Sequence, residues 1–161
     1  MNIENLEQLS REKGLCLELY EAIASYIVNE RGNTRSSVWY YNKHRSGIEC
    51  KTLFDNRGKD FISGFFIYEE DCPAYFAELA EGRTIIANNA RQYPATEDFT
   101  DGYFEPNEIF SLLDVPIRDT TGIVRGVICC EHCEELRYWG KEDIKIAEET
   151  AKIIGDLLEV A

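Results

Sequence analysis

Cys129-Cys130-Glu131-His132-Cys133 is a dense run of side chains able to bind metal. A zinc-type centre needs its ligands to converge within about 2.0–2.3 Å of one ion. The run closes a β-branched stretch, Ile123-Val124 and then Val127-Ile128, that reads as a strand. Strand side chains alternate faces, so Cys129, Glu131 and Cys133 point one way and Cys130 and His132 the other. At about 3.3 Å per residue, Cys129 and Cys133 stand about 13 Å apart. Parity therefore argues against a metal site and for core packing, with Glu131 and His132 hydrogen-bonded to the neighbouring strand or a covering loop.

Cys72 is the next candidate for chemistry. It precedes Pro73 at the expected start of a helix, with Asp71 as the expected N-cap. A helix N-terminus favours a thiolate, but a small buried hydrophobe is the preferred reading. Arg83, Arg91 and Arg118 could clamp a carboxylate or phosphate beside a concave site. Among 30 Asp and Glu residues, salt bridges are their simpler use. Asp114 and Arg118 share a strand face but stand too far apart to pair directly, and Asp114 is expected to bond the backbone of the covering loop. Phe99, Tyr103, Phe104 and Phe110 are candidate rings for a ligand pocket. The two histidines, His44 and His132, sit in no nucleophile motif, and no Gly-rich phosphate loop is present.

These residues must be positioned by elements that the pattern also indicates. Residues 3 to about 30 carry helical stripes, bent or broken near Gly14, with Leu19, Ile23 and Ile27 on the stronger one. Strands follow at 37–41 and 48–54. A shorter strand at 61–67 has Gly64 as a bulge. A helix runs from Asp71 to Gly82, and a short β segment covers 83–87. Residues 88–110 form a long aromatic connection, too rich in rings for disorder, which reads as a packed lid with a helical turn capped by Thr96 and ending at Gly102. Ser111 to Cys133 is a hairpin turning at Asp119-Thr120-Thr121-Gly122. A last helix begins near Lys141, with Ala147, Ala151 and Ile154 on its stripe, and stays apolar through Leu157-Leu158-Glu159-Val160-Ala161. The order gives an α+β class with an antiparallel sheet.

The 161 residues fit one ordinary domain, divided as an N-terminal helical segment (1–32), a sheet with middle helix and lid (33–139) and a C-terminal helix (140–161). Lys plus Arg total 17 and the formal net charge is −13, which disfavours nucleic acid and anionic membrane surfaces. No stretch approaches the ~18–20 apolar residues of a membrane span, and the N-terminus lacks signal-peptide character. The cytoplasm is the expected compartment, where the six cysteines stay reduced.

Several stretches occur together in the order and spacing of a known family. They are Ser37-Val38-Trp39, Ser63-Gly64 with Glu70 to Phe76, Phe99 to Tyr103, Ser111 to Arg118, and Gly126-Val127 with Glu131-His132, followed by Arg137 and Trp139. The chain resembles the GAF domain of bacterial signalling proteins from about Leu17 to Leu158. The resemblance implies a PAS-related antiparallel sheet of about six strands, with terminal helices packed on one side and a lidded small-molecule pocket on the other. Tyr75, Phe99, Tyr103, Phe104, Phe110, Asp114, Arg118, Cys130 and His132 are the pocket candidates it indicates. It also implies a parallel homodimer through the terminal helices and an output such as a histidine kinase or a diguanylate cyclase with its cyclic di-GMP signalling. Bilin-binding relatives attach the chromophore at a Cys-His pair, which is missing here, as is the Asp-Glu pair of the cyclic-nucleotide signature. No cofactor is called for. Asn88-Asn89, Cys72 and the segment Glu105 to Phe110 depart from the family pattern. The expected function is a non-enzymatic sensory module that binds a small ligand. A thiol-dependent oxidoreductase resembling free methionine sulfoxide reductases, using Cys72 or Cys129/Cys130, is one alternative. A ligand-free dimerisation spacer is another.

Overall fold

The structure, a computed structural model, describes residues 1–159. The N-terminal stripes form two helices, α1 (Ile3–Lys13) and α2 (Leu17–Arg31), broken at Gly14. Asn2 and Asn5 close α1 by a reciprocal cap, each side chain accepting from the other's backbone N–H. The strands are β1 (Arg35–Tyr41), β2 (Gly47–Asp55), β3 (Asp60–Ile62), β4 (Phe66–Tyr68), β5 (Ile85–Ala87), β6 (Ile109–Arg118) and β7 (Val124–Cys133). Helix α3 spans Pro73–Ala80 and α4 spans Lys141–Gly155. The N-cap of α3 is Cys72 rather than Asp71, which lies in a preceding 3₁₀ turn. The apolar tail read at the end of α4 falls partly on residues 160–161, outside the described residues.

One antiparallel seven-stranded sheet carries the order β3-β2-β1-β7-β6-β5, with β4 also paired to β2. The strand expected at 61–67 is therefore two short strands along one edge of β2. Gly64 separates them with a φ of +92°, a region open to glycine. Its N–H still donates to the Cys50 carbonyl at 3.1 Å, and Cys50 donates to Phe65 at 2.8 Å, so the edge is bulged rather than lost.

The sheet has two buried faces because β7 and β6 are apolar at both parities. On one face, Val38, Leu113, Val115, Ile117, Ile128 and Cys130 pack against Leu19, Ile23 and Ile27 of α2 and Ala147, Ala151 and Ile154 of α4. Each fully buried Leu or Ile contributes roughly 1.5–3 kcal/mol. On the other face, Trp39, Leu112, Val127 and Cys129 meet Tyr75, Phe76 and Leu79 of α3 and the lid rings Phe99 and Phe104. The terminal helices thus share one side, and the middle helix and lid take the other.

Two local features lock this arrangement. Asp143, in the first turn of α4, accepts from Gly140 N at 2.8 Å, from Arg31 Nε at 2.8 Å and from Arg137 Nη2 at 2.9 Å. That carboxylate ties the end of α2 to the start of α4. The second is a close approach at Gly126, where a Cβ would lie 2.0 Å from the Trp39 carbonyl oxygen and 2.9 Å from the Tyr40 ring. Because the obstruction is backbone, it cannot swing aside. Gly126→Ala is expected to destabilise the fold by about 1–3 kcal/mol or more. A urea midpoint equal to that of the unmodified protein would show that β1 and β7 have slack here.

Candidate functional site

Register sets the site. Arg35 of β1 lies opposite Glu131 of β7, which lies opposite Leu112 of β6. The next row on the same face is Ser37, Cys129 and Asp114. Two cross-strand rows thus bring one arginine, two carboxyls and one thiol beneath the lid. Tyr75 comes down from α3 and Tyr103 from the lid.

The first row is a closed ion pair. Arg35 Nε donates to Glu131 Oε1 at 2.9 Å, and Tyr103 Oη donates to Glu131 Oε2 at 2.7 Å. The Arg35 guanidinium also reaches Tyr103 Oη at 3.0 Å and Asn107 Oδ1 at 3.2 Å. Arg35 and Glu131 are both almost fully buried. Burial is the largest influence and works against the arginine's charge, but Glu131, together with Tyr103, Cys133 and Asp55, outweighs it and holds the guanidinium protonated. This network anchors the lid to the centre of the sheet.

The second row is open. Tyr75 Oη donates to Asp114 Oδ2, while Asp114 Oδ1 is buried with no hydrogen-bond partner. Burial pushes the Asp114 carboxyl up to about 7, against the pull of the facing Cys129 thiol and Tyr75 hydroxyl. Burial likewise raises Tyr75, Tyr103 and Cys129 well above their ordinary values.

These groups face a cavity of about 20 Å³, walled by Trp39, Ile48, Ile67, Tyr75, Phe99, Tyr103, Phe104, Leu112, Asp114, Cys129 and Glu131. That volume holds about one water. An open cleft of about 340 Å³ lies against it and shares Trp39, Ile67, Phe99 and Tyr103 as walls. Phe99 and Tyr103 are the lid's share of that common wall. The lid that carries them is wound tightly. A 3₁₀ turn (Glu97–Phe99) runs into a π turn (Thr100–Phe104), closed by Glu105 N donating to the Thr100 carbonyl at 2.9 Å. Single π turns recur at functional sites. The expected helical turn thus continues past Gly102. Thr96 gives its side chain to the Ala90 carbonyl at 2.7 Å instead of capping.

The sequence-predicted residues divide cleanly. Tyr75, Phe99, Tyr103, Phe104 and Asp114 come together around the cavity. Phe110 does not; it stacks under the Arg91 guanidinium, 4.0 Å from its centroid. Arg118 sits at the end of β6 and donates to the Gly82 carbonyl at 2.6 Å. Cys130 and His132 require correction. Parity separates them from Cys129 and Glu131 as expected, but the pocket lies on the Cys129–Glu131 face. Cys130 packs in the helix-side core, and His132 lies near Thr34 at the end of β7. Asp114 bonds Tyr75 rather than the lid backbone.

Glu131 bonds both the neighbouring strand and the lid, as expected of it, but it was not placed among the pocket residues, and Arg35 was missed. The available signal was a carboxylate in a strand buried on both faces, since a buried charge requires a partner.

Thiol chemistry finds little support here. Burial pushes Cys72 and Cys133 up to about 11, and Cys50 and Cys130 up to about 12. Cys72 gains no thiolate from its helix, because desolvation, followed by Asp98 and Asp71, acts against the charge. Among the described residues, no group of three His, Cys, Asp or Glu side chains is arranged to hold a metal ion.

The family model described as GAF domain matches residues 17–158. The chain belongs to the GAF domain family. Solved structures agree with this GAF fold. Residues 122 to 287 of a methyl-accepting chemotaxis protein are 14% identical, with 94% of this chain and 93% of that chain covered and a TM-score of 0.76. The phycocyanobilin-bound GAF domain from a cyanobacterial phytochrome is 11% identical over 96% of this chain and 92% of that one, with a TM-score of 0.73. A domain described as belonging to a two-component sensor histidine kinase protein from Sinorhizobium meliloti 1021 is 15% identical over 88% of each chain, with a TM-score of 0.63. At these identities the likeness is one of fold. A chemotaxis protein and a sensor kinase are among the sources of these domains. No curated protein matches this GAF domain. No described helix is long and apolar enough to cross a membrane.

Proposed function

We propose that this GAF domain is a sensory module that takes a small ligand behind its lid and relays the event through its terminal helices. One observation carries the ligand reading: Asp114 Oδ1 is buried, lacks a partner and belongs to a residue lining an aromatic cavity. An unmet buried acceptor is costly by about 1–3 kcal/mol unless a ligand or solvent meets it. Aromatic walls around a few placed polar groups are what small-molecule sites are made of.

The relay reading rests on the two-sided strand. Asp114 lies between Leu113 and Val115, whose side chains pack into the helix-side core with α2 and α4. A ligand that shifts Asp114 therefore pushes on the helices through the same strand. In this reading a second copy docks along the terminal helices, where Ile3, Ile153 and Leu157 line a surface groove. The output is a histidine kinase or a diguanylate cyclase. The kinase is favoured by the sensor kinase domain among the similar folds. Six free thiols favour a reducing compartment such as the cytoplasm.

Native mass spectrometry of freshly purified protein tests the reading. A retained small molecule is expected in the unmodified chain and is expected to be lost from Asp114→Leu. No retained molecule, together with no thermal shift across a metabolite panel, would leave the dimerisation spacer as the better account.

A further inference from the structure

Resting on the ligand reading above, we infer that the ligand of this site carries a protonated amine on a flat apolar body. The polar atom on offer is Asp114 Oδ1, an acceptor once the carboxyl is ionised. No Lys, Arg or His lines the cavity or the adjoining cleft among the described residues. Arg35, which bonds the cavity-lining Glu131 and Tyr103, is already held by that carboxylate. An anion entering here would find no positive partner and would meet Asp71 and Asp98 in the cleft wall. An ammonium group meets the reverse: a carboxylate at the end of its path, acidic groups at the entrance and the rings of Trp39 and Tyr103 alongside. Aromatic faces attract cations, more so where water is excluded. The net charge of −13 adds a long-range field of the same sign. The cleft wall supplies the surface for the apolar body through Phe65, Phe66 and Tyr68.

Two bodies of space must join for such a ligand to reach Asp114. Of the four walls shared by both, Trp39 and Ile67 belong to the sheet, and Phe99 and Tyr103 belong to the lid and are the residues that must part. The Tyr103 hydroxyl is tied to Glu131 and Arg35, whereas the Phe99 side chain makes no hydrogen bond, so Phe99 is the ring freer to move.

Matched pairs of opposite charge test the inference: tryptamine against indole-3-acetate, phenethylamine against phenylacetate, and benzamidine against benzoate. Titration calorimetry on the full chain at pH 8 is expected to show binding of at least one amine or amidine. Its anionic partner is expected to bind at least tenfold more weakly. Asp114→Asn is expected to weaken the amine tenfold or more while retaining a cooperative melt. Asp71→Asn and Asp98→Asn are expected to weaken it less, and mainly at low salt, because exposed charges are screened.

The pH profile supplies a second readout. The groups facing Asp114 are Tyr75 from α3, Cys129 and Glu131 from β7, and Tyr103 from the lid. Tyr75, Cys129 and Tyr103 stay protonated near neutrality, and Glu131 is paired with Arg35. Amine affinity is therefore expected to fall as pH drops below about 7, by up to about tenfold per pH unit, as Asp114 takes up its proton. Equal or tighter binding of the anions, binding that strengthens below pH 7, or no binding of any cation would overturn the amine inference. A retained anionic molecule seen by mass spectrometry would do the same while leaving the ligand-binding reading intact.

Discussion

Arg35→Met is expected to destabilise the protein by about 3–5 kcal/mol, and Arg35→Met combined with Glu131→Leu by much less. The reason is the asymmetry of buried charge. Arg35 and Glu131 are exposed by only 3% and 1%. Removing the arginine leaves a carboxylate with the Tyr103 hydroxyl as its remaining side-chain donor and no neutralising charge. Removing both removes the desolvation penalty along with the attraction, and such replacements are often neutral or stabilising. Tyr103 would then lack its partners, so Tyr103→Phe in the double background is expected to recover a further fraction of a kcal/mol or more. Urea unfolding of the singles, the double and the triple gives the coupling directly. Effects that simply add would mean that the pair is solvated in solution and does not anchor the lid. Hydrogen exchange across residues 97–107 provides an independent check: the double variant should fold yet exchange faster there. A lid as protected as in the unmodified chain would assign its closure to ring packing alone.

That lid anchor shows where sequence reading stops. The two buried sheet faces were legible because β6 and β7 are apolar at both of the parities between which strand side chains alternate. The same alternation separates Cys129 from Cys130. Gly64 marked the interruption between β3 and β4, and Gly14 the break between the first two helices. What alternation cannot say is which face receives the lid. Both faces of β7 are buried, so both parities look alike, and Cys130 and His132 were assigned to the pocket face in place of Cys129 and Glu131. Pairing register is the missing information. Arg35 and Glu131 lie 96 residues apart, and only the β1–β7 pairing brings them together. The lid was harder still. Its rings announced packing, but a 3₁₀ turn running into a π turn has no simple period. Phe110, with the same side-chain type as Phe104, falls at the irregularity in the β6–β7 pairing between Ile109 and Ser111 and lies under Arg91 instead.

The open row makes an opposite prediction: Asp114→Asn is expected to make the ligand-free protein more stable at pH 8. Asp114 has an ordinary pKa of 3.8 and is pushed up to about 7 in the fold, chiefly by burial. Between those values the folded chain keeps a proton that the unfolded chain has released. Stability therefore falls as pH rises through this window, and it levels off above about 7. The gap corresponds to at most about 4 kcal/mol at pH 8. Asn carries no charge and keeps an oxygen for the Tyr75 hydroxyl, so it should recover part of this, on the order of 1–3 kcal/mol after its own amide is accommodated. Carboxylates with depressed values behave in the other sense. Asp119, held down to about 2 first by the Thr121 hydroxyl, contributes stability that is present above 3.8 and lost as pH falls through 2. That region lies below the Asp114 window and is common to both proteins. The difference between the two denaturation curves against pH thus isolates Asp114. It should favour the aspartate by on the order of 1–3 kcal/mol at pH 4, where the amide's cost is not yet offset, reverse through pH 5 and 6, and be flat above about 7. A constant difference would show that the carboxyl does not change charge in that range, and a sign favouring the aspartate at pH 8 would place a cation against it. A carboxyl kept at this cost to the fold is what a binding group looks like before its ligand arrives.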